Sequence, residues 1–198
     1  MLTTLQIDAR YNPAFLKSLT LITGNDSWGS GPGDVPEMQT IYFDSASADE
    51  VVAAINGYDD AWLDFTKSQH TRKVNAMRDD KIENGYTFVS GGETYVIQST
   101  QSDRENVIGL AVAAMGAIGQ GALPGNLEWL TPGQPFGFIA ADNRTIPLDA
   151  QGMMALYQRG LGFKMGVTLY ARALKDALLA APDLIILDGI NIEVGWPE

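Results

Sequence analysis

The stretch YTFVSGGETYVI, residues 86–97, and the stretch SDRENVIGLAVAAMGAI, residues 102–118, decide the fold of this chain. The first is rich in β-branched and aromatic residues, and Gly91-Gly92 at its centre supplies the positive φ angles of a tight turn. It therefore predicts a β-hairpin. The second opens with the Ser-Asp-Arg-Glu pattern of a capping box and is apolar on nearly every side, which predicts a central core helix. Together they indicate an α+β fold.

Downstream of these stretches the sequence predicts two strands, a long helix and a packed tail. Residues 127–130 and 136–139 are apolar and aromatic, which favours a second strand pair. Asp149 is a good N-cap for a helix that runs from residue 150 to about residue 181. The tail, residues 184–198, is apolar enough that we expect it to pack on the body of the protein.

Upstream, a strand and two helices are predicted. Residues 39–43 are β-branched and aromatic, as in a strand. Residues 47–50 form a capping box for a short helix, which Gly57 ends in the left-handed conformation. Asp59 or Asp60 then caps a second helix.

That second helix predicts a domain boundary. It runs to about residue 85, and its middle, residues 67–73, is polar on every side, which is typical of a helix that bridges two domains in solvent. We therefore expect an N-terminal lobe of strands and a short helix over residues 1–72. Residues 73–198 should form a C-terminal lobe with a β-hairpin, a second strand pair and two core helices.

Composition excludes several classes of function. The chain has 198 residues, of which 45% are hydrophobic, and a net charge of −11, which argues against partners such as nucleic acid or an anionic membrane. It has no cysteine, so disulfides and thiolate metal sites are excluded. The start lacks the basic and apolar regions of a signal peptide, and no run approaches the roughly 18 apolar residues of a membrane span. We therefore expect synthesis in a cytoplasm.

No catalytic residue, metal site or cofactor site is predicted. The single histidine, His70, lies among polar residues and is expected to be solvated, without the base and orienting group of a nucleophilic triad. The glycine-rich stretches at residues 29–33 and 116–121 lack the strand-to-helix context of a phosphate loop. The sequence therefore indicates a protein that is not an enzyme.

Aromatic residues are the candidates for protein contacts, because tryptophan and tyrosine are favoured as interface anchors. In the weakly periodic N-terminal region they either anchor an interface or complete a small core. The glycine-rich arm there, residues 28–36, is either an ordinary surface loop or a segment that a neighbouring subunit orders. The candidates are Tyr11, Phe15, Trp28, Trp129 and Trp196.

Residues 73–198 also carry an ordered set of motifs. They begin with RDDKIENGYTF at residues 78–88, continue with Trp129 and FIAADN at residues 138–143, and close with GWP at residues 195–197. Further matching segments are residues 95–104, 147–150 and 171–176. In their order and spacing they resemble a bacteriophage and prophage domain family of unknown function, found in tail-fibre, tail-fibre assembly and other tail-region proteins. Residues 1–72 carry no recognisable part of this pattern, and residues 187–192 are more apolar than the family pattern.

The resemblance implies a function without chemistry. We expect a structural component of the tail region, such as a fibre, baseplate or adaptor protein, carried in the virion after synthesis in the cytoplasm of a bacterial host. Its partners would be other phage tail proteins and further copies of itself. One alternative is a tail-fibre assembly chaperone that does not stay in the virion. Another is a carbohydrate-binding module that uses Trp129 and Asp142.

Overall fold

A computed structural model describes residues 2–8, 10–20, 28–33, 37–44 and 47–198. The fold is α+β, as predicted, with several helices and small antiparallel sheets. The chain forms two compact units, Met1–Gln69 (unit 1) and His70–Glu198 (unit 2), and the division falls within one long helix.

Unit 1 is built on a small antiparallel sheet with strand order β1-β3-β2. Its elements are β1 (Leu2–Asp8), α1 (Pro13–Ser18), β2 (Trp28–Pro32), β3 (Met38–Asp44), α2 (Ala48–Asn56) and the beginning of α3 (Tyr58–Asn84). The helices cover the sheet because both surfaces are apolar. The resulting core consists of Ile7, Leu16, Ile41, Phe43, Val51, Ala54 and Tyr58.

The glycine-rich arm is ordered within its own chain over residues 28–32, which corrects both interpretations of it. These residues form the edge strand β2, in which Trp28 is opposite Phe43 of β3. A Cβ placed on Gly29 or Gly31 would lie 3.7 Å from the ring of Tyr42, so that ring covers both glycines. Strand pairing therefore outweighs the loop-like composition. Residues 34–36 of the predicted arm lie outside the described residues.

The starts of α2 and α3 differ from their predicted caps. Ser47 occupies the N-cap position of α2, but its side chain makes no capping hydrogen bond. Gly57 has a φ of −95°, so it is not left-handed. It is the single residue between α2 and α3, and its carbonyl accepts from the N–H of Ala61. Because α3 follows at once, Asp59 and Asp60 lie in its first turn, near the positive end of the helix dipole, rather than at its cap.

Unit 2 contains two hairpins and the longest helices. After the end of α3 come β4 (Tyr86–Ser90), β5 (Glu93–Ile97), α4 (Gln101–Gly119), β6 (Gly137–Ile139), β7 (Thr145–Pro147), α5 (Ala150–Ala180) and α6 (Leu184–Asp188). The β4–β5 hairpin is confirmed, with φ angles of 61° and 83° at Gly91 and Gly92. Asp149 caps α5 as predicted, since its carboxylate accepts from the N–H of Gly152 at 2.6 Å.

The second strand pair is real but has different partners from those predicted. β6 pairs with β7 across a tight turn in which Asn143 has a φ of 63°. Residues 127–130 form turns instead of a strand. Trp129 in this segment is held by its side chain, which donates from Nε1 to the carbonyl of Leu148 at 2.9 Å. Side-chain docking therefore replaces strand pairing there.

The capping box of α4 lies two residues earlier than predicted. Thr100 is the N-cap, and Thr100 and Asp103 cap each other's backbone N–H groups. Glu105 lies inside the helix and accepts from Gln101 at 3.0 Å. The sequence contains two overlapping capping patterns, and the short connection from β5 favours the earlier one.

The apolar tail packs on unit 2, as predicted. Leu187, Ile192 and Trp196 are buried. The ring of Trp196 meets that of Tyr170 of α5 edge to face at 5.2 Å. Its Nε1 donates to the carbonyl of Ile192, so the buried indole is satisfied.

Candidate interaction surface

Helix α4 exposes one of its apolar faces. Its small inward residues, Ala111 and Ala114, are buried, whereas Ile108, Val112 and Met115 are between 50% and 60% exposed. The exposed residues are spaced i, i+4, i+7 and therefore lie on one side of the helix. The prediction of a central core helix is wrong because α4 packs chiefly on α5 alone, which leaves its opposite face uncovered.

Helix α5 has a similar exposed line in its middle. Leu161, Met165 and Leu169 follow one another at four-residue spacing and are between 50% and 66% exposed. The opposite face is buried along the whole helix, through Ala150, Met153, Leu156, Phe163, Val167, Ala171, Leu174 and Leu178. α5 is thus a core helix on one side and an apolar surface helix on the other.

The two helices run antiparallel. The residues after α4 lie at the start of α5, because the side chain of Gln151 donates to the carbonyl of Ala122 at 2.9 Å. The first turns of α4, near Arg104, share a groove with residues 157–164 of α5. Ile108 of α4 and Leu161 of α5 line opposite sides of this groove.

We call the exposed residues on both helices the α4–α5 surface. It consists of Ile108, Val112, Met115, Leu161, Met165 and Leu169. The groove between Ile108 and Leu161 has a volume of about 250 Å³.

Tyr86 and Gly160 shape the groove. The hydroxyl of Tyr86 donates to the carbonyl of Leu156 at 3.2 Å, and burial raises the pKa of Tyr86 to about 12. A Cβ on Gly160 would lie only 2.7 Å from that hydroxyl and 2.9 Å from Cζ of the ring. The missing side chain of Gly160 therefore lets α5 approach the β4–β5 hairpin closely.

Cations stand on both sides of the groove. Arg104 of α4 donates to the carbonyl of Ser99. Glu105 beside it accepts a hydrogen bond from the side chain of Gln101. Lys164 of α5 makes no ion pair within the described part of the chain. The groove thus combines an apolar floor with three charged residues, Arg104 and Glu105 on α4 and Lys164 on α5.

The N-terminal aromatic candidates lie within unit 1. Tyr11, Phe15 and Trp28 are partly buried against its core. The ring of Tyr11 is 4.6 Å from that of Tyr58, and the ring of Phe15 is 4.8 Å from that of Trp62, both edge to face. Of the two interpretations of these residues, core packing is the one the contacts describe, and a role as interface anchors stays a prediction.

Trp129 and Trp196 are likewise engaged inside the chain. Trp129 packs its ring on that of Phe136 at 5.0 Å, and Trp196 of the tail is buried against Tyr170 of α5. Neither residue lines the α4–α5 groove. Their proposed contacts with partners stay predictions. The α4–α5 surface itself was missed, although the i, i+4, i+7 spacing of Ile108, Val112 and Met115 was the signal for it.

Asp142, the other residue of the carbohydrate hypothesis, is part of a charged cluster. Arg144 donates to Asp142 at 2.6 Å and to Glu93 at 3.0 Å, and its guanidinium stacks 4.4 Å from the ring centroid of Tyr95. The hydrogen bond from Arg144 holds the pKa of Asp142 below its ordinary value of 3.8. This cluster joins the β6–β7 turn to the β4–β5 hairpin, and the carbohydrate hypothesis stays a prediction.

His70 is half-buried rather than solvated. Its Nδ1 atom is buried and has no hydrogen-bond partner among the described residues. Within the same described ranges, no three His, Asp or Glu side chains come together as metal ligands. None of the helices described there is both long enough and apolar enough to cross a membrane.

Comparison with known proteins identifies a family for most of the chain. A family model described as a domain of unknown function, DUF4376, matches residues 66–193. A search of curated proteins and a search of solved structures each gave no match. The matched region contains both helices of the α4–α5 surface, and it covers more than half of the sequence. The chain therefore belongs to the DUF4376 family of domains of unknown function.

Proposed function

We propose that this protein is a non-catalytic structural component of a phage tail region, such as a fibre, baseplate or adaptor protein. It acts by assembling with other tail proteins and is carried in the virion after synthesis in the host cytoplasm. The observation that carries the assembly part is the α4–α5 surface. The tail location rests on the resemblance of residues 73–198 to phage tail-region proteins.

The exposure of the α4–α5 surface supports an interaction role. Its six side chains are each half exposed or more, and on each helix they follow one another along one side. Exposed apolar residues that are scattered singly are normal on a protein surface, whereas apolar residues that lie together mark interaction sites.

Two glycines on the same side of α4 support close approach of a partner. Gly109 and Gly116 are exposed, and a Cβ on either would meet nothing within 4 Å. A glycine inside a helix costs about 1 kcal/mol relative to alanine. No intrachain packing around these two glycines accounts for that cost, whereas a backbone that must pack closely on another protein does.

The structural uses of several carboxylates support the non-catalytic part. Lys73 holds the pKa of Glu193 below its ordinary value through a hydrogen bond of 2.6 Å, as Arg144 does for Asp142. Asp103, Asp149 and Asp183 cap helices. These carboxylates each have a structural use.

Mass spectrometry of purified particles tests the proposal. Particles of the phage or prophage that encodes the chain should contain it at a stoichiometric level, and the copy number should survive washing in high salt. Absence from the particles would overturn the proposal. If the chain instead co-purifies with a tail fibre from infected cells but is missing from finished particles, it is the assembly chaperone.

A further inference from the structure

The short helix α6 presents an apolar protrusion with acidic ends. Ile185 is 83% exposed and Ile186 is 52% exposed. Leu187 of the same helix is fully buried and anchors α6 to the rest of unit 2. Asp183 precedes the helix and Asp188 ends it. We call Asp183, Ile185, Ile186 and Asp188 the α6 knob.

The knob carries negative charge that the described part of the chain leaves available. One carboxylate oxygen of Asp183 accepts from the N–H of Ile186, and Asp188 makes no ion pair with any described residue. Asp176 and Glu193 in the surrounding sequence are paired with Arg172 and Lys73, so Asp188 is the carboxylate that remains available beside the isoleucines. Two exposed isoleucines are therefore presented in a negative environment.

The groove of the α4–α5 surface has the opposite pattern. Ile108 and Leu161 line an apolar hollow. The charged residues beside it are Arg104 and Glu105 on α4 and Lys164 on α5, so the α5 side of the groove is positive. Its volume of about 250 Å³ lies below the roughly 300–1,000 Å³ of small-molecule pockets and suits a pair of side chains. The apolar knob with its acidic ends complements an apolar groove whose α5 side carries Lys164, a cation without an ion pair among the described residues.

We propose that the α4–α5 groove of one copy of this protein takes the α6 knob of a second copy. Ile185 and Ile186 enter between Ile108 and Leu161, and Asp188 meets Lys164. This inference names the partner of the α4–α5 surface, so it rests on the proposal that the surface serves assembly.

A second copy is required because the knob of the same chain is too far away. The groove lies at residues 157–164 of α5, whereas α6 follows the end of that helix at Ala180. The α5 segment from Leu161 to Ala180 spans about 28 Å at about 1.5 Å per residue. The tail after α6 is bound to α5, since Arg159 donates to the carbonyl of Glu198 and Tyr170 donates to that of Val194.

Sedimentation velocity of the full chain over a range of concentrations tests the proposal. We expect reversible association that increases with protein concentration. It is best measured at physiological ionic strength, where the repulsion between two copies of net charge −11 is screened. A chain that stays monomeric up to about 1 mM, the concentration that corresponds to about −4.1 kcal/mol, would overturn the proposal.

Charge reversal on each side makes the test specific. Lys164→Glu in the groove and Asp188→Lys in the knob should each weaken association at least about tenfold, the effect of losing a close interfacial charge pair. A mixture of the two variants should associate better than either variant alone. In that mixture the glutamate introduced into one groove faces the lysine introduced into the other copy's knob. The unaltered groove likewise faces the unaltered knob, so both contacts are restored.

An apolar variant and its control address the remaining part of the contact. Ile185→Lys should weaken association at least about tenfold, whereas Val194→Lys should leave it unchanged, because Val194 is an exposed tail residue outside the knob. Circular dichroism spectra should be the same for all variants. Equal effects at positions 185 and 194, or no recovery in the charge-swapped mixture, would place self-association on another surface.

These outcomes separate the inference from the proposed function. A monomeric protein that is nonetheless present in particles would reject the knob-and-groove contact and keep the structural role. A protein that self-associates as described but is absent from particles would keep the contact and reject the tail assignment.

Discussion

The aromatic cluster of unit 1 and the apolar residues along one side of α4 are both hydrophobic, but the cluster is packed inside its unit and the α4 residues are exposed. Phe15 and Trp62 pack edge to face within unit 1, around the buried Tyr58. Val112 and Met115 on α4 are about 60% exposed. Three helices and a sheet meet around the aromatic cluster, whereas α4 packs chiefly on α5. An apolar cluster is therefore a core or a surface according to what packs against it.

Charge separates the two units further. Residues 1–69 carry three basic and ten acidic side chains, a net charge of −7, while residues 70–198 carry ten basic and fourteen acidic side chains, a net charge of −4. Copies of unit 1 repel each other more strongly per residue. The cations Arg104 and Lys164 lie where unit 2 exposes its apolar groove, which makes unit 2 the better place for contact between acidic proteins.

The largest expected effect comes from opening the core of unit 1. Leu16 is fully buried, so Leu16→Ala should lower the free energy of unfolding by about 2–5 kcal/mol, through lost burial and the cavity left behind. Urea denaturation and hydrogen exchange in the β1–β3 ladder measure the loss. Leu19→Ala, at an exposed position just after the same helix, is the control. Similar losses for both variants would mean that the two positions do not differ in packing.

The next effect comes from the glycines of α5, which test whether the groove is held open by close packing. Gly160→Ala should lower the free energy of unfolding by about 1–3 kcal/mol, because the new methyl group collides with Tyr86. Gly162→Ala, two residues away, meets nothing within 4 Å and should raise it by about 1 kcal/mol. Thermal denaturation of the two variants measures the change in the free energy of unfolding for each. Changes of the same sign would contradict the close contact between Gly160 and Tyr86.

A smaller effect on stability is expected on the exposed face of α4. Met115→Gln should change the free energy of unfolding by less than about 0.5 kcal/mol, as for other surface substitutions. Met153→Gln, which buries an amide in α5, should cost about 1–3 kcal/mol or more. If the α4–α5 surface serves assembly, Met115→Gln should still reduce the amount of the protein in particles. An unchanged amount would remove Met115 from the contact.

The smallest effect is a pH dependence at the hairpin junction in unit 2. Because the pKa of Asp142 is lowered in the folded protein, its contact with Arg144 contributes stability above the ordinary pKa of 3.8 and loses it as the pH falls below that value. The urea midpoint of the wild type should therefore drop more between pH 7 and pH 3 than that of Arg144→Gln. Arg172→Gln, which removes an exposed cation from α5, is the control and should follow the wild type.

Local chemistry made many elements of the fold predictable. Asp149 begins α5, and Gly91-Gly92 turns the first hairpin, because a cap and a positive φ angle depend on a few adjacent residues. The errors arose where two local patterns competed. Thr100 took the cap position expected for Ser102, and β7 took the strand partner expected at residues 127–130. Such choices are decided by which contacts the rest of the chain completes.

The sequence by itself determined the α+β class, the acidic character and most helix and strand positions. All of these depend on composition or on neighbouring residues. Only the tertiary structure decided which apolar residues are buried and which remain exposed on the surface. The exposure of a helix's side chains depends on how many other elements pack against it. That number cannot be read from the helix's own sequence. Tyr11, Phe15 and Trp28 therefore lie against a core, while Ile108, Val112 and Met115 form a surface.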